Sequence, residues 1–154
     1  MLPLIHYLHL LLGIVWLGGT LTLSLAVYPA LARLPATEAR RAWDGIAVVG
    51  GPLLAAAGGL TTIFGPLRAW IGGGVTTWSD FLYPYAQLVV AAFLIMWVAV
   101  SLGTRFRKKF EALLTDPARF TAEAPALVRR DGIIETVLLL IILTIMVALG
   151  LGLY

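Results

Sequence analysis

Cysteine is absent from the 154 residues, which excludes disulfides, thiolate metal sites, iron–sulfur clusters and covalently attached haem. Charge is scarce as well. Asp, Glu, Lys and Arg make up 12% of the chain, against about 25% in soluble domains, where polar groups must face water. Histidine occurs only at His6 and His9. With both imidazoles on one segment and the acidic residues at the edges of the apolar blocks, no Ser-His-Asp arrangement can be assembled. Ser24, the nearest serine on the histidine stripe, would lie about 22 Å from His9 at 1.5 Å per helical residue. Soluble enzymes, nucleic-acid-binding modules and secreted disulfide scaffolds are therefore set aside.

What is abundant is apolar side chain, 60% of the residues, gathered into four blocks. A bilayer core about 30 Å thick takes about 20 apolar helical residues. The blocks run from about Leu2 to Tyr28, Asp44 to Gly65, Phe81 to Gly103 and Gly132 to Leu153. Proline marks the expected ends of the first two, at Pro29 and Pro66. Inside lipid each segment must satisfy its own backbone, so all four are expected as helices. The first block has no positive charge before it and is longer than a signal-peptide core, so it reads as a retained helix. The expected fold is all-α: one domain over residues 1–154, a four-helix, up-and-down transmembrane bundle with the lipid bilayer as its first partner.

Basic residues sort the connections. Arg33, Arg40 and Arg41 lie in the first, Arg105, Arg107, Lys108, Lys109, Arg119, Arg129 and Arg130 in the third, and Arg68 alone in the second. The positive-inside rule then puts the first and third connections in the cytoplasm and both termini outside, in the cytoplasmic (inner) membrane. This placement also accounts for the net charge of +3 without a nucleic-acid partner. The second connection, Leu67 to Asp80, carries Trp70 and Trp78, which fit an interfacial belt. Its Gly72-Gly73-Gly74 run reads as a turn, since no strand precedes it and no lysine follows. The third connection, Thr104 to Asp131, is expected as a solvated, lipid-facing loop, with a short surface helix through Phe106, Phe110, Leu113 and Leu114 as the alternative.

Chemistry concentrates on the first helix. His6, His9, Gly13, Trp16, Thr20 and Ser24 follow steps of three and four and share one face, which should turn into the bundle. Two imidazoles one turn apart, with Gly13 one turn deeper, suit a haem ligand above a flat surface, or two of the ligands of a copper site. They cannot bind opposite faces of one haem, because both project from the same side of one helix. Met146 on the fourth helix is the candidate second ligand at similar depth, and Met96 is a poorer match. Tyr85 and Gln87 near the start of the third helix are candidate pocket residues or interfacial anchors. Asp44, Gly51, Ala55, Gly58, Thr62 and Gly65 form a small-residue stripe for close packing. Glu135 is expected in an interfacial ion pair near Arg129, Arg130 and Asp131.

The string His9-x6-Trp16-x-Gly18-Gly19, followed by Tyr28-Pro29 and a basic loop, resembles the first helix of CopD-like membrane proteins. This broad group includes copper-resistance protein D domains, and the related HemJ-type protoporphyrinogen oxidases have a similar first helix. So does the membrane domain of some bacterial urate oxidases. Tyr83-Pro84-Tyr85-Ala86-Gln87-Leu88 is similar to the segment that commonly carries a lysine in that family. No lysine is present here, which argues against HemJ-type activity. The resemblance implies an all-helical bundle with His9 as haem or copper ligand.

The expected function is a membrane b-type haem protein for redox or electron transfer, acting as a haem-dependent oxidoreductase if it is an enzyme. His9 is the axial ligand, His6 its partner or alternative, and Gly13 and Trp16 line the pocket. The sixth position is left open, filled by Met146, or supplied by a second protomer. Copper binding or transfer through His6, His9 and Met146 is one alternative. A cofactor-free subunit of a homodimer or larger membrane complex is the other.

Overall fold

The computed structural model describes residues 1–154 and is all-helical in its regular structure. Four helices are each long and apolar enough to cross a bilayer: α1 Leu2–Leu31, α2 Ala36–Ile71, α3 Pro84–Leu113 and α4 Pro117–Leu151. The chain is a multi-pass membrane protein. Two helical hairpins, α1 with α2 and α3 with α4, make most of the interhelical packing.

The helices run past the ends that sequence alone suggests. Pro29 does not stop α1, because a π-helical turn, Leu23–Val27, precedes it. A proline ring collides with the carbonyl four residues back, here that of Leu25, and a wider turn relieves the collision. Pro52 and Pro66 lie inside α2, and Pro125 lies inside α4. The expected loop from Thr104 to Asp131 is mostly the paired ends of α3 and α4, joined through Leu114, Thr115 and Asp116. Asp116 caps α4 by accepting from the Arg119 N–H at 3.2 Å. Phe106, Phe110, Leu113 and Leu114 are buried in the bundle. Their alternation with basic residues belongs to bundle helices leaving the membrane, with the apolar stripe inward.

The two ends of the bundle differ. At the end with the α1–α2 and α3–α4 connections, here called the basic end, aromatic rings from all four helices meet. Tyr28 stands edge-on to Phe106 (centroids 4.6 Å apart, planes at 90°) and to Phe110 (5.0 Å). Trp43 packs on Tyr28 at 5.1 Å, and Phe120 on Phe110 at 5.8 Å. Such pairs add about 0.5–1.5 kcal/mol each beyond the area they bury. A smaller cluster of Trp16, Ala57, Met96, Leu139 and Ile142 lies further along the bundle. Toward the opposite, terminal end the buried residues include Ile5, Ala69 and Ala86, none of which belongs to either cluster.

Candidate functional site

The stripe on α1 divides between two neighbours. Its terminal half faces α2. The His9 ring sits on Gly65, where an added Cβ would be 3.2 Å from His9 Cε1. Trp16 lies on Gly58, where a Cβ would meet indole Cδ1 and Nε1 at 2.8 Å. Gly13 is half-buried, with the Thr61 methyl 4.0 Å from the place of its missing Cβ. Gly58 and Gly65 thus admit flat rings from α1, so two positions of the small-residue stripe do the packing expected of them. Thr62 faces another way and donates to the sulfur of Met96 at 3.5 Å.

Around the histidines, polar atoms are buried without partners. His6 Nδ1, His9 Nδ1 and Arg68 Nε have no hydrogen-bond partner. Arg68 lies close enough to His9 for its charge to be felt there, and the backbone carbonyl of Thr61 is beside the ring. From sequence Arg68 is only the lone basic residue of a turn. Helix α2 continues to Ile71 and carries that guanidinium alongside the imidazoles.

The other candidates are dispersed. Met146 packs against the cluster of Trp16, Ala57, Met96, Leu139 and Ile142. Met96 is buried in the same cluster. The Tyr85 ring covers Gly74 and lies 5.2 Å from the ring of Tyr154. Gln87 is exposed and donates weakly to the carbonyls of Phe81 (3.4 Å) and Leu82 (3.3 Å). It therefore tethers the short 3-10 turn Trp78–Leu82. No group of three His, Asp or Glu side chains converges as a metal site.

Beyond Thr20 the stripe turns to α4. Ser24 is the one fully buried polar side chain, and its hydroxyl donates to Glu135 Oε2. Glu135 is in none of the ion pairs: Arg130 pairs with Asp131, and Arg129 with no acidic group. The expected interfacial pair is replaced by a contact inside the bundle. Spacing alone misses it, because Ser24 and Glu135 are 111 residues apart.

Two cavities lie away from the histidines. One, of about 230 Å³, opens beside Trp16, Gly58, Thr62 and Met96. The other, of about 600 Å³, lies at the basic end beside Arg40, Trp43, Asp44 and Glu111. In comparisons with known proteins the chain matches no family model, no curated protein and no solved structure. The CopD-like resemblance rests on the residues quoted for it above.

Proposed function

We propose that this chain is an inner-membrane b-type haem protein for redox or electron transfer, with the cofactor held at the terminal end of the α1–α2 hairpin. The observation that carries the reading is the trio of buried, unpartnered nitrogens: His6 Nδ1, His9 Nδ1 and Arg68 Nε. Buried polar groups without partners are costly, and a donor set of two imidazoles and a guanidinium suits a metal macrocycle with acidic edges. His9 would ligate its metal, with His6 as partner or alternative, and Arg68 would pair with a carboxylate of the group. The bound group supplies a one-electron couple. The chain orients it and, through the apolar faces of α1 and α2, keeps water from it. The positive-inside rule puts this end outside and the basic end in the cytoplasm.

Copper would have the two imidazoles and a thioether, without a third His, Asp or Glu. One observation favours a cofactor-free subunit instead. His9 fills the space over Gly65 beside the Thr61 carbonyl, as a helix-packing side chain would.

An optical spectrum of detergent-purified protein, expressed with haem supplied, separates these readings. The expected result is a Soret band that shifts on dithionite reduction, with stoichiometric iron, and its loss in His9→Ala. Folded protein without a Soret band or iron overturns the haem reading. In that case stoichiometric copper supports the copper site, and a metal-free protein supports the subunit.

A further inference from the structure

The Ser24–Glu135 contact lies apart from the histidines and does not depend on the haem reading. Three features frame it. Ser24 lies in the π-helical turn Leu23–Val27, a form of helix often found at functional positions. Glycine stands on both sides of the contact. A Cβ on Gly103 would be 2.8 Å from Glu135 Oε1, and one on Gly132 would be 3.2 Å from the Ser24 carbonyl oxygen. No arginine, lysine or histidine lies within 4 Å of the carboxyl.

Glu135 follows Arg130 by five residues, about 7–8 Å along the helix, and apart from Thr136 and Thr144 the helix after it is apolar. An ionised carboxylate in such surroundings is expensive without a cation, and intramembrane acids are functional by default. The groups that face it are few. Ser24 and Tyr28 approach from α1, and α3 presents Gly103. Its own helix contributes Asp131, which is paired with Arg130 at 2.6 Å. Tyr28 lies within charge reach of Glu135 on one side and of Arg107 and Glu111 on the other. Glu111 in turn accepts from Trp43 Nε1 at 3.2 Å. Polar side chains therefore lie at intervals between the Ser24–Glu135 contact and the basic end.

We propose that Ser24 and Glu135 form an intramembrane proton-binding site, filled from the basic end by way of Tyr28. A hydronium ion at that end gives up one proton, its O–H bond breaking to leave water, and the Glu135 carboxylate becomes the neutral acid. The Ser24 hydroxyl holds Oε2, and Oε1 takes the proton in the space that Gly103 leaves. No other bond changes.

Infrared spectroscopy of the full chain in lipid vesicles tests this. The expected result is a carboxylic-acid C=O band at neutral pH that shifts in deuterium oxide. It disappears in Glu135→Gln and persists in Glu123→Gln, whose carboxylate is exposed and paired with Arg119. In Ser24→Ala the band moves in frequency, because a hydrogen-bond donor is removed. This variant decides the matter if Glu135→Gln does not fold. Absence of the band in the wild type, its survival in Glu135→Gln or an unmoved band in Ser24→Ala overturns the site. In Tyr28→Phe the band is present at neutral pH but returns more slowly when vesicles held at alkaline pH are jumped back to neutral pH, and an unchanged rate removes Tyr28 from the path.

Discussion

Gly58 and Gly59 are neighbours in α2, yet an added methyl group would meet very different surroundings. At Gly58 it would fall 2.8 Å from the Trp16 indole, a rigid ring with little room to withdraw, whereas at Gly59 nothing lies within 4 Å. Overpacking of this kind costs about 1–3 kcal/mol, while alanine in an open helical position gains up to about 1 kcal/mol over glycine. Thermal unfolding in detergent is expected to drop for Gly58→Ala and to hold or rise for Gly59→Ala. Equal midpoints would mean that α1 does not pack on α2 through this ring. The same logic separates the two histidine-face glycines. Gly65 lies under the His9 ring, whereas Gly13 has only a methyl at 4.0 Å. The flat surface that spacing assigned to Gly13 thus faces a neighbouring helix.

Among the elements, the 3-10 turn between α2 and α3 depends on one carboxylate. Asp80 Oδ2 accepts from the backbone N–H groups of Thr76 and Thr77, each at 2.7 Å. These bonds hold its pKa below the ordinary aspartate value, because they favour the ionised form. The sign follows from linkage: a depressed folded value gives stability that is full above the ordinary value, about 4, and is lost as pH falls through the lower folded one. NMR shifts of the Thr76 and Thr77 amides should titrate with a midpoint below that of an ordinary aspartate and stop titrating in Asp80→Ala. A midpoint at or above the ordinary value would count against the cap. Before this turn, α2 closes with the Gly72 N–H on the Arg68 carbonyl at 2.8 Å, and Gly73 takes a left-handed φ of 77°. The glycine run is the turn that follows α2, as its lack of a strand and a lysine implied.

At the scale of the whole molecule, the absence of cysteine is an experimental advantage, since any introduced thiol is the only one. Single cysteines at Thr115, between α3 and α4, and at Ser79, between α2 and α3, test the orientation. Charge placement predicts that a membrane-impermeant thiol reagent labels Ser79→Cys in intact cells and Thr115→Cys only after permeabilisation. The reverse pattern would invert the bundle and move the proton entry proposed at the basic end to the outside. Packing is also uneven along the bundle axis. The basic end is fixed by rings from four helices, while the terminal end, where both histidines lie, buries mainly small residues.

The helical class and the count of four spans were legible from composition and block length, because a bilayer demands about 20 apolar residues per crossing and satisfied backbone throughout. The inward turn of His9, Trp16 and Ser24 was legible from period alone. Helix ends were not: proline forbids a regular turn but not a widened one, so α1 passes Pro29. The basic third connection read as a loop, or as a surface helix through Phe106, Phe110, Leu113 and Leu114, because that apolar stripe finds its partners only in Tyr28 and Trp43 of other helices. Arg68 beside the histidines and Ser24 beside Glu135 depend on how separate helices are laid together. Local sequence sets which face of each helix is polar. Only the packing of the hairpins decides which polar faces meet, since that choice depends on the fit of rings and glycines far apart in the chain.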